Sequence, residues 1–233
     1  MRISTGVKGL DKMLNGGLIP GRAYLIKGGP GTGKTTLAIQ FLMEGAQNGE
    51  KCLYITFEEP VSTLKEDMRN FGFDLEHPNI KLIDATPVGE KKTIFADVLY
   101  EEFATSFEKL TRTISEELKT EKYSRIVIDP ITMLKLTIVD ELEYRRTFMG
   151  FLKAISKYNA TIIFTSEIKA TDVEEYLVSG VIELRTIEER GKTLRGIKII
   201  KFRGSTFDEE VRPYRITNKG IEVYHKEVLF HGV

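Results

Sequence analysis

The sequence predicts an α/β fold, with a mostly parallel central sheet flanked by helices and an antiparallel β extension at the C-terminal side. Up to residue 166, apolar runs of strand length alternate with segments of helical period, which is typical of βαβ units. After about residue 178 the runs are short, β-rich and separated by turn signals. The 233 residues hold no internal repeat and no Pro/Ser-rich linker, so we expect one domain spanning residues 1–233.

Central strands and helices alternate through the first part of the chain. The strands are expected at 23–28 (AYLIKG), 52–57 (CLYITF), 81–86 (KLIDAT), 125–129 (RIVID) and 160–166 (ATIIFTS). The helices are expected from Lys34 to about Ala46, over roughly 61–71, from Thr93 to about Lys122, and over about 140–158. Apolar residues three or four apart predict the third of these helices: Phe95, Leu99, Phe103, Phe107, Leu110 and Ile114.

The C-terminal part contains three β-rich runs, VIELRTIEE, LRGIKIIKFRG and EVRPYRITNKGIEVYH. Turn signals lie at Glu189–Lys192 and Asn218–Gly220. We therefore expect antiparallel strands that extend the sheet at one side.

Composition argues against several classes of protein. Lys plus Arg equals Asp plus Glu at 34 each, whereas a sequence-independent nucleic-acid binder usually carries a basic excess. The single cysteine, Cys52, permits no intrachain disulfide, indicates a reducing compartment and lies in an apolar run that predicts a buried thiol. The three histidines show no metal-ligand spacing. Without a signal-like N-terminus or an apolar stretch near the roughly 20 residues that span a bilayer, a cytoplasmic protein with no membrane contact is expected.

The segment from Gly28 to Thr35, GGPGTGKT, has P-loop spacing: Gly, four residues, Gly, Lys and then Thr. The glycines let backbone N–H groups turn towards a β-phosphate, Lys34 reaches the β/γ oxygens, and the Thr35 hydroxyl ligates Mg²⁺. A chance match in a glycine-rich turn is the alternative, but a strand before the loop and a helix after it fit the motif. We therefore predict that ATP or ADP binds with Mg²⁺ at Gly28, Gly29, Pro30, Gly31, Thr32, Gly33, Lys34, Thr35 and Thr36.

Three carboxylates at strand ends are candidates for the metal and for water activation. Asp129 ends a buried strand, where an NTPase of this kind needs a metal-binding carboxylate; a plain exposed Asp is the alternative. Because Pro130 follows, the base that activates water must come from elsewhere. Glu58 and Glu59 end another strand, at the edge where sheet chemistry occurs, and one of them is expected to accept the proton. A charge pair at a helix N-terminus is the alternative.

Further motifs run from about residue 4 to 224: STGVKGLDKMLNGGLIPG, GGPGTGKTT, TFEEP, RIVIDP, TIIFTSE, IIKFRGS and YRITNKGI. In this combination the sequence resembles the KaiC-like branch of the RecA/RadA superfamily of ATPases. The resemblance implies a RecA-like P-loop NTPase core, ATPase activity, and self-association into a ring, expected to be a hexamer, with ATP between subunits.

The resemblance also implies roles for individual residues. Glu58 and Glu59 match the family's catalytic glutamates, and Lys201 and Arg203 match a basic pair that reaches the neighbouring subunit's nucleotide. Residues two apart in a strand share a face, so the pair projects together and can neutralise charge on a γ-phosphate. A solvated basic edge strand is the alternative. The remaining implied residues are Lys34 in catalysis, nucleotide contacts at Phe202, Ser205 and Thr217, and a γ-phosphate sensor within Thr165–Glu167.

Two features bear on the kind of ATPase. Where the family's autophosphorylating domain has a Ser-Thr pair, this chain has Glu175-Tyr176, which argues against autokinase activity. We expect a nucleotide-dependent switch that acts on an unknown protein partner. A recombination accessory ATPase that binds single-stranded DNA is the alternative, and a scaffold with negligible turnover is a third. Residues 167–176, a segment that contacts DNA in recombinases, hold four acids against one base, which disfavours DNA.

Overall fold

Nine strands form one sheet in the part of the chain that the computed structural model describes, namely residues 1–86, 103–135, 138, 140–167, 172–189 and 191–229. The strands are β1 Ala23–Gly28, β2 Cys52–Thr56, β3 Ile80–Asp84, β4 Arg125–Asp129, β5 Thr161–Ser166, β6 Gly180–Glu189, β7 Lys192–Phe202, β8 Arg212–Thr217 and β9 Gly220–Val223. The helices are α1 Lys8–Met13, α2 Lys34–Gln47, α3 Val61–Arg69, α4 Phe103–Thr120, α5 Thr132–Lys135, α6 Glu141–Ser156 and α7 Asp172–Leu177. The predicted α/β architecture is confirmed.

The strand order across the sheet is β3-β2-β4-β5-β1-β6-β7-β8-β9. Pairing is parallel from β3 to β6 and antiparallel from β6 to β9. The C-terminal strands are antiparallel to one another, as expected, and β6 joins them to the central sheet by pairing in parallel with β1. The helix α7 connects β5 to β6 and carries the chain from the carboxyl ends of the parallel strands back to their amino ends, as connections between parallel strands require. Both predicted hairpins are present, with Glu189 opposite Lys192 and Thr217 opposite Gly220.

The helices agree with the sequence prediction where a helical period is visible. The predicted helices after β1, β2 and β4 are present as α2, α3 and α6, and the Asp140 carboxylate caps α6 by accepting from the Glu143 N–H at 2.7 Å. Residues 93–102 of the predicted third helix lie outside the described residues, and α4 forms its remainder. The sequence prediction lacks α1, α5 and α7, because four to six residues are too few to show a period.

Separate apolar cores cover the two faces of the sheet. On one face, alternate strand residues such as Tyr24 and Ile26 pack with α1, α2 and α3. On the other face, Leu25 and its counterparts in neighbouring strands pack with α4 and α6. Cys52 is fully buried, as predicted, and burial raises the pKa of its thiol to about 12. No described helix is long and apolar enough to cross a lipid bilayer.

Arg125, at the start of β4, is buried with only 2% of its surface exposed. Its guanidinium donates to the Glu50 carboxylate at 2.8 and 3.0 Å. It also donates to the carbonyls of Ser4 and Phe41, at 2.8 and 2.7 Å. Gly45 provides the space, since a Cβ there would lie 2.4 Å from the Arg125 side chain. Arg125 thereby fastens the N-terminal segment and α2 to the sheet that carries the candidate site.

We predict that Arg125→Met lowers the free energy of unfolding by about 3–5 kcal/mol, because it breaks an ion pair whose cation is buried and removes the hydrogen bonds to the Ser4 and Phe41 carbonyls. The control Arg112→Met breaks the exposed pair with Glu116 and should cost at most about 1 kcal/mol. Urea unfolding followed by circular dichroism measures both losses. Equal losses in the two variants would contradict the role given to Arg125.

Candidate nucleotide-binding site

The P-loop connects the carboxyl end of β1 to the first turn of α2. Gly33 precedes the helix with a left-handed φ of 89°, and it has no side chain to occupy the N–H groups of the first turn. At Gly28 a Cβ would lie 2.6 Å from Thr32 Oγ1 and 2.8 Å from the Leu184 carbonyl oxygen, so glycine is required there. The Lys34 amine donates to the carbonyl of Gly29, at 3.1 Å. A helix N-terminus with a lysine folded over a tight glycine loop suits a phosphate chain.

A buried carboxylate, Asp129, lies beside the start of α2. The Thr35 hydroxyl donates to Asp129 Oδ2 at 2.8 Å, and the Tyr54 hydroxyl donates to the same oxygen at 2.5 Å. The Thr165 hydroxyl donates to the other oxygen, Oδ1. Burial, followed by the charge of Asp129, raises the pKa of Tyr54 well above its usual range, so its hydroxyl remains a donor. We call Asp129, Thr35, Tyr54 and Thr165 the Asp129 cluster.

The Asp129 cluster fits a magnesium ion that is shared with a nucleotide. Mg²⁺ prefers oxygen ligands, and Thr35 and Asp129 present a hydroxyl and a carboxylate within hydrogen-bonding distance. Among the described residues, no group of three or more Asp, Glu, His or Cys side chains is placed to hold an ion by itself. One or two protein oxygens are the usual complement when phosphates and water supply the other ligands of Mg²⁺.

Glu58 and Glu59 lie just beyond the carboxyl end of β2. Glu58 is exposed and Glu59 is half-buried. The Thr56 hydroxyl holds the backbone of Glu59, donating to its carbonyl at 2.7 Å and accepting from its N–H at 3.2 Å. Burial, together with the carboxylates of Asp67 and Asp129, raises the pKa of Glu59. A carboxylate with increased proton affinity beside the candidate metal site is suited to general-base chemistry.

The β8–β9 hairpin packs against the P-loop of its own chain. The Tyr214 hydroxyl donates to the Thr32 carbonyl at 2.7 Å. The Ile216 side chain lies 3.0 Å from where a Cβ on Gly33 would be. Thr217 follows directly, and its hydroxyl shapes the turn by donating to the Gly220 carbonyl at 3.1 Å. Tyr214 and Ile216 face the P-loop, whereas Thr217, the next residue of β8, lines a cavity with Lys8 and Gln40.

Lys201 and Arg203, the basic pair, lie away from the P-loop of their own chain. Lys201 pairs with Val181, which pairs with Leu25. Leu25 precedes Gly28 by three residues, so the sheet separates the two regions by roughly 10 Å along the strands. The Arg203 backbone lies still nearer the amino edge of the sheet, since its N–H donates to the Ser179 carbonyl at 2.8 Å.

The basic pair contacts the C-terminal end of α7. Arg203 donates to the Tyr176 carbonyl at 2.6 Å, and Lys201 donates to the carbonyls of Glu175 and Tyr176. These two cations share one face, as the spacing predicts, and they bind acceptors that a helix end leaves free. Burial, followed by the charge of Arg203, lowers the pKa of Lys201 to about 8.

Phe202 and Ser205 are engaged within the fold. The Phe202 ring is 5% exposed and stacks on Tyr24 with ring centres 5.7 Å apart, so a nucleotide contact at this position has to use backbone atoms. The Ser205 hydroxyl accepts from Arg2 at 2.6 Å and donates to the Thr206 carbonyl at 2.9 Å.

The acidic segment 167–176 presents fewer free carboxylates than the sequence suggests. Residues 168–171 lie outside the described residues. Glu174 is fully buried and accepts from the Tyr144 hydroxyl at 2.7 Å, and Glu175 pairs with Lys27 at 2.6 Å. Two of the four acids are thus used inside the fold, which weakens the charge argument against DNA.

The sequence does not identify several of the polar side chains that form hydrogen bonds around the site. Tyr54 and Tyr214 sit in apolar strands, where a tyrosine is most simply read as a core residue. Gln40 lies in the middle of α2, where its side chain accepts from the Ile221 N–H at 2.6 Å and so attaches the helix to β9. The only available signal is a polar atom within an apolar run, and that signal does not identify a partner.

The sheet order, the P-loop and the adjoining α2 define a class of protein, a P-loop ATPase of the RecA type. More specifically, a family model described as "ATPase: KaiC" matches residues 3–228, and the chain belongs to that family.

Relatives of this chain include both longer proteins and proteins of its own length. It is 32% identical to the circadian clock protein KaiC3 of Synechocystis over 94% of this chain, but it spans only 44% of that protein. It is also 32% identical to a UPF0273 protein of Methanocaldococcus jannaschii, with 98% of each chain covered. The crystal structure of a KaiC-like protein from the archaeon Pyrococcus horikoshii superposes with a TM-score of 0.80 at 29% identity, covering 96% of this chain and 99% of that one.

Proposed function

We propose that this chain binds ATP with Mg²⁺, hydrolyses it, and acts as an oligomeric nucleotide-dependent switch. One observation carries the proposal: the Thr35 hydroxyl, the first polar group after the P-loop lysine, donates to the buried Asp129 carboxylate at 2.8 Å. That contact joins the phosphate loop to the strand that ends in the candidate metal ligand. Membership of a KaiC ATPase family supports the same activity.

Different protein groups are assigned to different parts of the Mg²⁺–ATP complex. The loop amides and the first turn of α2 bind the β-phosphate, and the Lys34 amine exchanges the Gly29 carbonyl for β/γ oxygens. Thr35 and Asp129 would hold Mg²⁺. When bound, the metal neutralises phosphate charge. Thr217, the neighbour of Ile216 in β8, is kept as a proposed nucleotide contact.

Water activation is assigned to Glu58 and Glu59. The pair lies at the end of β2, whose Thr56 is level with Asp129 in the parallel pairing of β2 and β4. A carboxylate at this edge is able to accept a proton from water directed at the γ-phosphate. The raised pKa of Glu59 supports its assignment as the general base. Glu58 is exposed, so its side chain is free to turn into solvent.

We predict that a glutamine at the base position retains ATP binding but lowers turnover by about 10²-fold or more, because volume is kept while the proton acceptor is lost. Glu58→Gln, Glu59→Gln and the double variant are compared by phosphate release and by nucleotide binding. Glu66→Gln, an exposed site on α3, is the control and should match the parent. Unchanged turnover in all three active-site variants would refute the assignment.

The basic pair is proposed to act on the nucleotide of a neighbouring copy. Lys201 and Arg203 are about 10 Å or more from their own P-loop along the sheet. Lys201 is half-buried, whereas Arg203 and the neighbouring Tyr176, at 64%, are exposed. A neighbour's phosphates would replace the carbonyls of α7 as acceptors for both cations. The ATP site would then be shared between subunits of a ring, so that nucleotide state and assembly are coupled.

We predict that Lys34→Ala and Arg203→Ala are each inactive alone but regain ATPase activity when mixed. A mixed oligomer contains junctions that pair an intact P-loop with an intact basic pair. Mixing Lys201→Ala with Arg203→Ala is the matched control, and it should stay inactive because every junction lacks one cation. If mixed oligomers form yet the Lys34/Arg203 mixture stays inactive, or if the parent is a fully active monomer, action on a neighbouring copy is wrong.

A further inference from the structure

Tyr54 contacts the Asp129 carboxylate from within the core. It lies on β2 opposite Val127 of β4, and Val127 and Asp129 are two residues apart on one face. The Tyr54 ring therefore runs along the sheet beneath the carboxylate and is 1% exposed. Its hydroxyl ends 2.5 Å from Asp129 Oδ2.

The three donors to Asp129 differ in what else they are needed for. Thr35 is proposed to bind the metal through its oxygen, and Thr165 lies near the carboxyl end of β5, in the segment expected to sense the γ-phosphate. Tyr54 has neither role, because its ring is enclosed in the core formed with α2 and the neighbouring strands. Because the packed ring has almost no rotational freedom, its hydroxyl stays in one place. The hydrogen bond from this hydroxyl therefore restricts rotation of the Asp129 carboxylate.

We infer that Tyr54 is a positioning residue for the metal: its hydroxyl fixes the orientation in which the Asp129 carboxylate meets Mg²⁺ and the Thr35 hydroxyl. The inference rests on the proposed function, since it assigns Tyr54 to the magnesium-dependent part of ATP binding. Removing the hydroxyl leaves the ring in the core and the P-loop intact. Affinity for nucleotide without metal is then retained, while the gain in affinity that Mg²⁺ provides is reduced.

The test compares Tyr54→Phe with Tyr24→Phe. Tyr24 is equally buried at 1% exposure and also loses a bonded hydroxyl, but its partners are the backbone N–H and carbonyl of Ile19, each at 2.9 Å. Binding of mant-ATP is titrated in excess Mg²⁺ and in EDTA, and the ratio of the two affinities is taken as the magnesium effect. Thermal melting without nucleotide checks that both variants are folded.

We expect Tyr54→Phe to reduce the magnesium effect by about tenfold, the size expected for one hydrogen bond to a charged group, with affinity in EDTA within about twofold of the parent. Tyr24→Phe should keep the parent's magnesium effect. An unchanged effect in Tyr54→Phe, or an equal loss of affinity in Mg²⁺ and in EDTA, overturns the positioning role. A parent protein that binds no mant-ATP, or binds it without any magnesium effect, overturns the proposed function and the inference with it.

Discussion

The buried carboxylate of Asp129 is the constraint on which the rest of the candidate site depends. A carboxylate that is 7% exposed is costly unless hydrogen bonds compensate for lost water. Its three donors come from three elements, with Thr35 on α2, Tyr54 on β2 and Thr165 on β5. Each donor is in place only if β2, β4 and β5 keep their register and α2 begins at Lys34. The geometry of the site therefore depends on the register of the central sheet, and the hydrogen bonds to Asp129 in turn favour that register.

The same sheet separates two groups of charged side chains. The P-loop and the Asp129 cluster lie at the carboxyl ends of the parallel strands, the edge where α/β sheets bind ligands. Lys201 and Arg203 lie towards the other edge, because antiparallel β7 runs back along β6. Under the proposed function, this separation means that one copy would be insufficient for hydrolysis. In this structure the two cations instead donate to carbonyls at the C-terminal end of α7, which the helix leaves free.

Sequence reasoning succeeds here where spacing expresses local physics. The P-loop lies between a strand and a helix as its motif predicts, and the strand ending in Asp129 is found where the apolar run predicts it. Sequence fails where the outcome depends on which elements meet. The parallel direction of β6 depends on a six-residue helix that has no visible period, and the burial of Glu174 depends on Tyr144 of α6. Tyr54 is undetectable for the same reason, because its partner is 75 residues away.

The most direct test of the site is the shift in Tm that ATP produces with and without magnesium, in the parent and in Asp129→Asn. A ligand that binds only the folded state raises Tm, and the size of the rise follows its affinity. We predict that ATP with Mg²⁺ stabilises the parent more than ATP with EDTA, and that Asp129→Asn loses this difference while keeping the shift seen in EDTA. A full magnesium-dependent shift in Asp129→Asn would contradict the assignment of Asp129 to the metal.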